Sequence, residues 1–251
     1  DYVRHFLSSV RRILGYENIL GTVSSGYRTT KVDAFPMGID YEKFSKATKM
    51  PEVRHELDRI WQQVGDRKIV VSIDRQDYTK GIKDRLEAFH IFLHRYPEYK
   101  EKVSLIMVTV PSRSQVPSYA DLKSEIDELV GKINGEHGTL GWMPIWYHFR
   151  SVPFPMLIAL YSFADIALVT PLRDGMNLVA KEFIATRPTD RDGDVGVLII
   201  SEMAGAEKEL GEAVIVNPFD HDSVADSIAR ALLRSAEEQR RRIIPMQERL
   251  K

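Results

Sequence analysis

From residue 68 onward, short apolar segments alternate with segments of helical periodicity, and this alternation restricts the chain to few folds. Strands are predicted at 68–73, 103–110, 145–149, 166–170, 195–201 and 214–216. Helices are predicted at 82–95, 121–133, 154–163, 178–185 and 223–236. Strands separated by one helix each need crossover connections, which form a parallel sheet. We therefore predict an α/β fold, a parallel sheet with helices on both faces.

Residues 1–40 do not follow this alternation. They predict a helix ending at Gly15, two short strands around Gly26 and a turn at 36–38. We interpret 1–40 as the tail of a preceding domain with its linker, and 41–251 as one domain. Residues 235–251 form a charged helical segment in which Pro245 is expected to break the helix. From its two ends, we infer that the chain is a piece of a longer protein.

Composition argues against several classes of partner. The 35 basic and 36 acidic residues give a net charge of -1, so we expect neither a nucleic-acid nor a membrane partner. No apolar segment reaches the roughly 20 residues of a membrane helix. The absence of cysteine excludes disulfides and thiolate metal sites and fits a cytoplasmic location, which we expect.

Several catalytic patterns are missing from the sequence. There is no P-loop, no dinucleotide glycine fingerprint and no Ser/His/Asp arrangement, which argues against kinases, dehydrogenases and hydrolases of those types. His137, His148 and His221 lack the spacing of metal ligands, so we expect them to have core or surface roles.

The loop after the first strand of the alternation carries two cations. Ligands bind at the carboxyl ends of the strands of an open parallel sheet, and this loop lies there. Arg75 and Lys80 bracket the turn, and Gly81 opens the following helix. Such a pair beside a helix start suits a diphosphate. The alternative is a surface turn whose cations pair with Asp74 and Asp77.

The loop after the strand at 166–170 resembles a helix start built for an anion. Gly175 permits a tight turn, and Asn177 is a suitable N-cap. The N–H groups of Leu178 and Val179 would then point toward a bound anion.

Two carboxylates flank that helix start. Asp174 could accept hydrogen bonds from sugar hydroxyls, and Glu182, one turn into the helix, from two ribose hydroxyls. The alternative is an ordinary capped helix with Glu182 paired to a lysine. Because Lys181 and Glu182 are adjacent, we expect one of them to face solvent. In a third loop, at 111–115, Arg113 could reach a phosphate, although it also fits a plain surface arginine.

These loops carry a resemblance to the trehalose-6-phosphate synthase family. The runs 74–82 and 170–183 closely resemble that family, and the second is highly specific. Shorter similar runs lie at 2–15, 34–40, 133–135, 140–142 and 201–206. The resemblance implies a Rossmann-like half of a two-domain GT-B glycosyltransferase, with the donor-binding domain in this chain and the acceptor-side domain missing before it.

The family transfers glucose from UDP-glucose to glucose 6-phosphate with retention at the anomeric carbon and without an obligatory metal. Carried over by position, Arg75 and Lys80 would hold the diphosphate and stabilise the departing UDP. Asp174 would hold glucose hydroxyls, Glu182 the ribose hydroxyls, and a backbone contact near Val152 would read the uracil.

The resemblance also implies backbone contacts to sugar and phosphate from the segment Gly175, Met176, Asn177, Leu178 and Val179. Arg113 matches a position that reaches the acceptor phosphate. Gln76 departs from the family pattern, which is usually apolar there, and this could alter the packing of the loop. We expect the chain alone to be inactive. The alternative is a regulatory relative that binds the nucleotide sugar without turnover.

Overall fold

The computed structural model describes residues 2–113, 115–189 and 193–251. The chain divides into two compact units, Asp1–Met37 and Gly38–Lys251. The first unit holds helix α1 (Tyr2–Leu14) and an antiparallel sheet of β1 (Asn18–Ile19), β2 (Thr22–Ser25) and β3 (Arg28–Lys31). The predicted strands around Gly26 correspond to β2 and β3.

The second unit is built on a six-stranded parallel sheet. Its strands are β4 (Lys68–Arg75), β5 (Val103–Val110), β6 (Ile145–His148), β7 (Ile166–Val169), β8 (Val197–Ser201) and β9 (Val214–Val216). They lie in the order β6-β5-β4-β7-β8-β9, and every neighbouring pair is parallel. The parallel sheet predicted from the alternation is therefore confirmed.

Eight α-helices flank the sheet within the described residues of this unit. They are α2 (Tyr41–Ala47), α3 (Pro51–Val64), α4 (Ile82–Arg95), α5 (Pro117–His137), α6 (Phe154–Phe163), α7 (Leu178–Ala185), α8 (His221–Leu232) and α9 (Ala236–Leu250). No helix in the described part of the chain combines the length and apolar character that a membrane span requires.

Helices cover both faces of the sheet, as predicted. Alternate β4 residues point to opposite sides, so that Val71 belongs to one apolar core and Val70 to the other. The first core takes in α2, α3, α6, α7 and α9. The second takes in α4, α5 and α8.

The sequence prediction was wrong at the carboxyl-terminal helix. Pro245 lies inside α9 and does not break it. Packing outweighs the lost backbone hydrogen bond, because Ile243 and Met246 on either side of the proline are buried in the core. Gln247 adds to this by donating from its Nε2 to the carbonyls of Ile184 and Arg187, at 2.9 and 2.8 Å.

The strand order creates a switch point at the centre of the sheet. The chain starts the sheet with β4 and adds β5 and β6 on one side, and then places β7, β8 and β9 on the other. The helices that follow β4 and β7 pack on opposite faces of the sheet, α4 in the second core and α7 in the first. Ligands of open α/β sheets bind at the carboxyl edge of the sheet, at such a switch point.

Candidate functional site

The two cation- and carboxylate-bearing loops meet at the switch point. Lys80 Nζ lies 2.6 Å from Asp174 Oδ2, and both side chains are largely buried. The carbonyl of Thr79 accepts from the backbone N–H groups of Leu172 and Arg173, at 2.8 and 3.1 Å. The β4–α4 and β7–α7 loops therefore form one connected surface.

Gly81 makes this close approach possible. It has φ 62° and ψ 34°, the left-handed region that glycine adopts without strain. A Cβ atom at this position would lie 2.5 Å from the carbonyl oxygen of Thr170. The β7 strand end would then be pushed away from the start of α4, so the glycine fixes the spacing of the two loops.

A buried arginine supports the same loops from below. Arg85, on the first turn of α4, is 1% exposed. It donates to Asp74 Oδ2 at 2.7 Å, to Thr170 Oγ1 and to the carbonyl of Lys80 at 3.0 Å each, and to Ser72 Oγ. Burial raises the pKa of the Asp74 carboxyl, and the Arg85 guanidinium opposes that shift. The guanidinium of Arg85 thus joins β4, the end of β7 and the β4–α4 loop.

The β7–α7 loop is held from its other side by the segment after β8. Gly205 N donates to the carbonyl of Asp174 at 3.0 Å, and Ala206 N donates to that of Met176 at 2.7 Å. A Cβ atom on Gly205 would lie only 2.1 Å from the carbonyl oxygen of Gly175. This contact admits no side chain at 205, so the path of the loop depends on that glycine.

The Asp174 carboxylate is held in place by hydrogen bonds as well as by its ion pair. Asn177 Nδ2 donates to its Oδ2 at 3.2 Å, and the Met176 N–H donates to its Oδ1 at the same distance. The carboxylate is thus oriented toward Lys80 before any ligand is present.

Asn177 caps α7, as the sequence predicted. Its Oδ1 accepts from Ala180 N at 3.1 Å, and its own backbone is left-handed with φ 76°. Leu178 and Val179 are the first helical residues, and N–H groups at that position have no acceptor within the helix. The helix start therefore offers donors and positive potential at the switch point.

The prediction that either Lys181 or Glu182 faces solvent is wrong. Lys181 is fully buried, with its Nζ 2.8 and 2.9 Å from the two carboxylate oxygens of Glu209. Glu182 is half-buried and its Oε2 accepts from the Tyr161 hydroxyl at 2.9 Å. The prediction fails because α7 packs against the sheet and against α2, α6 and α9, leaving no wide solvent face.

Burial raises the pKa of Glu182, with the Tyr161 hydrogen bond and the nearby Lys43 opposing the shift. Among the described residues, no lysine forms an ion pair with Glu182, and its neighbour Lys181 pairs with Glu209 instead. One carboxylate oxygen of Glu182 bonds to Tyr161, and the other can accept from further hydroxyl groups.

The loop after β5 lies beside the β4–α4 loop. Arg113 Nη1 donates to the Tyr119 hydroxyl at 3.1 Å, which donates to Asp77 Oδ2 at 3.0 Å. Gln76, the departure from the family pattern, is buried and its Nε2 donates to the carbonyl of Tyr119 at 2.6 Å. Its amide thus joins β4 to α5. Ser114, also in the predicted loop, lies outside the described residues.

Two predicted site residues lie apart from these contacts. Arg75 is exposed at the end of β4 and forms no ion pair with any described residue. Val152 is half-buried after β6, the edge strand, and packs on the apolar core. The structure thus connects Lys80, Asp174 and Asn177 directly and leaves Arg75 available at the rim.

Known proteins resemble this chain in both sequence and fold. The sequence profile described as glycosyltransferase family 20 matches residues 1–251. The chain belongs to glycosyltransferase family 20. Over its whole length it is 49% identical to the bifunctional trehalose-6-phosphate synthase/phosphatase of Thermoproteus tenax, of which it covers 34%.

Solved structures resemble the family 20 chain in fold. The UDP-forming α,α-trehalose-phosphate synthase of Burkholderia xenovorans, solved in complex with glucose-6-phosphate, has a TM-score of 0.92 at 33% identity, over 99% of this chain and 55% of that one. An E. coli structure bound with UDP-2-fluoro glucose has a TM-score of 0.87 at 33% identity, over 93% of this chain and 51% of that one. The predicted Rossmann-like half of a two-domain GT-B glycosyltransferase is confirmed.

Sequence reasoning missed two supporting residues of this family 20 chain. Arg85 lies in the apolar stripe of α4 with Ile82, Leu86 and Phe89, and a cation in such a stripe was a signal that it is buried with a partner. Gly205 gave no comparable signal, because the contact that requires it comes from a loop far away in sequence.

Proposed function

We propose that this chain forms the donor-binding part of an enzyme that transfers glucose from UDP-glucose to glucose 6-phosphate, giving trehalose 6-phosphate and UDP. The observation that carries the proposal is the meeting of Lys80, Asp174 and the start of α7 at the switch point of the sheet. The names of the relatives support the same reaction.

The diphosphate would lie between the β4–α4 loop and the start of α7. Lys80 is oriented by Asp174, and Arg75 has no competing ion pair among the described residues. The N–H groups at the start of α7 add donors without a charge that needs a counter-ion. Charge develops on the departing UDP in the transition state, and groups placed in advance stabilise it. The proposed mechanism therefore needs neither a metal nor another cofactor.

The sugar and the ribose would occupy opposite sides of the diphosphate. Asp174 would accept from glucose hydroxyls, with the backbone of 175–179 around the sugar and the phosphate. Glu182, bonded to Tyr161 through Oε2, would accept from the ribose hydroxyls. The backbone near Val152 would read the uracil.

The acceptor would approach from a part of the protein that the relatives have and this chain does not span. This chain spans about a third to a half of the length of those relatives. We assign most of the acceptor site to that remainder, an amino-terminal domain to which residues 1–40 would lead. Arg113 would reach the acceptor phosphate. The loops offer no strong candidate for a covalent nucleophile, so retention would follow from attack on the face that UDP leaves.

Calorimetric titration of the 251-residue chain tests the donor site. We expect one UDP and one UDP-glucose to bind per chain, and Lys80→Met to weaken both because it removes the buried charge at the switch point. Lys132→Met, on the exposed surface of α5, is the matched control and should bind like the original chain. Folded protein that takes up neither ligand at millimolar concentration would contradict the proposal.

A further inference from the structure

Three histidines and one glutamate converge where α4 packs against α5. His90 and His94 lie one turn apart on α4, and Glu136 and His137 end α5. One ligand atom from each of the four lies within 4.8 Å of the other three. The chain separation of 46 residues between His90 and Glu136 hid this cluster from spacing arguments, which predicted only core or surface roles for His137.

The distances within the cluster suit a small cation. His90 Nε2 and His94 Nε2 are 3.0 Å apart, and they lie 3.0 and 2.7 Å from the two oxygens of Glu136. His137 Nε2 is 3.8 Å from Glu136 Oε1. Ligands about 2.0–2.1 Å from a tetrahedral Zn²⁺ lie about 3.3 Å from each other, so small side-chain adjustments would complete the geometry.

His137 provides an independent sign of a ligand. Its side chain is 1% exposed, and neither of its ring nitrogens has a hydrogen-bond partner among the described residues. A buried polar group without a partner is costly and rare in native proteins.

Hydrogen bonding alone does not account for the other three side chains. If Glu136 is ionised, its oxygens are acceptors, and both histidine Nε2 atoms must donate to them. Two N–H groups would then face each other across 3.0 Å. If either nitrogen is instead an acceptor, it opposes a carboxylate oxygen. A cation removes the conflict, because all the converging atoms can then present lone pairs to it.

We propose that His90, His94, Glu136 and His137 bind a divalent transition-metal ion, with Zn²⁺ as the natural occupant. Three imidazoles and a carboxylate are typical Zn²⁺ ligands, and the two histidines one helical turn apart lie on the same face of α4. The half-exposed His94 and Glu136 provide the route of entry.

Backbone and side-chain contacts near the cluster hold the end of α5 in position before any ion binds. Gly138, which ends α5, lies so close to the carbonyl of Asn134 that a Cβ atom would come within 2.5 Å of it. Asn134 donates to the carbonyl of Ile145 and accepts from its N–H, both at 2.9 Å. The end of α5 is thereby fixed to β6. His90 lies about 12 Å along α4 from Ile82, at 1.5 Å per residue. The ion would therefore connect α4 to α5 at a distance from the β4–α4 and β7–α7 loops.

Metal titration of the chelator-treated chain tests this proposal. We expect one Zn²⁺ per chain by calorimetry, and Co²⁺ to bind with the visible absorption of a four-coordinate site. The midpoint of thermal unfolding should rise by about 5–10 °C when free Zn²⁺ is a hundred times its dissociation constant.

Variants of the exposed ligands avoid damage to the core. His94→Ala and Glu136→Gln should each weaken Zn²⁺ binding by more than about tenfold, since loss of a supporting residue alone costs about 10–100-fold. His55→Ala, on the exposed face of α3, is the matched control and should bind unchanged. A folded chain that binds no Zn²⁺, or that loses affinity equally in all three variants, would overturn the proposal.

Discussion

The two cations of the β4–α4 loop differ in how they are held. Lys80 is paired with Asp174 at 2.6 Å and largely buried. Arg75 is exposed and unpaired among the described residues. A bound diphosphate would have to share Lys80 with Asp174, whereas it would meet Arg75 without a competitor. The net gain per contact should therefore be larger at Arg75, where no existing ion pair is weakened.

Substitution of Arg75 tests this difference. We expect Arg75→Ala to weaken UDP binding by about 1.5–3 kcal/mol, the value of a hydrogen bond to a charged group. Uridine, which lacks the diphosphate, should bind the variant and the original chain alike. Both affinities are measured by calorimetry at fixed ionic strength, because exposed charges are screened by salt.

Arg54→Ala is the control for the loss of one exposed positive charge. It lies on α3 and should leave both affinities unchanged. If Arg75→Ala weakened uridine as much as UDP, the arginine would act on the nucleoside or on the fold, and its assignment to the diphosphate would be refuted.

At the scale of the elements, the site depends on contacts between loops. The segment after β8 supports the Asp174 loop through Gly205, and the start of α4 supports it through Gly81. Both glycines lie where a side chain would meet a backbone carbonyl. The position of Asp174 relative to Lys80 thus follows from backbone packing, and not only from the attraction of their charges.

Gly205→Ala should therefore act on the site without removing any of its functional groups. A Cβ atom 2.1 Å from the Gly175 carbonyl oxygen forces the loop to move. We expect the free energy of unfolding to fall by about 1–3 kcal/mol, the typical cost of overpacking. UDP-glucose binding should weaken in parallel, measured by denaturant unfolding and calorimetry on the same protein.

Gly211→Ala is the matched control, because Gly211 is exposed and a Cβ atom there would meet no atom within 4 Å. It should change neither quantity by much. Identical behaviour of the two variants would show that the Gly205 contact does not position the loop.

The elements also show how far sequence reasoning reached. Dense apolar segments predicted the bounds of β5, α4, α6 and α7 correctly. The helices α2 and α3 were not predicted; the buried residues of α3 are only Val53, Ile60 and Val64, so its apolar stripe is sparse. The rule for parallel sheets placed Lys80 and Asp174 at one edge, although they are 94 residues apart. Contacts such as that of Gly205 depend on the folded path of two loops, which no local pattern encodes.

At the scale of the whole molecule, the sheet brings the main groups proposed to bind the donor to its carboxyl edge. Lys80, Asp174 and the start of α7 all follow strands next to the switch point. We expect a chain with this arrangement to bind a nucleotide sugar by itself. Transfer also requires the acceptor hydroxyl at the anomeric carbon, and we assign most of its binding groups to the part of the relatives that this chain does not span.

The chain alone should therefore bind UDP-glucose but form no trehalose 6-phosphate. Holding two reactants in the correct geometry can lower the activation free energy by about 7–11 kcal/mol. A chain without the acceptor site loses most of this reduction. The measurement follows UDP release and trehalose 6-phosphate formation from UDP-glucose and glucose 6-phosphate, with the full-length protein as the positive control. Full-length protein that binds UDP-glucose without turnover would indicate a regulatory relative. Turnover by the 251-residue chain would instead show that its own residues complete the acceptor site.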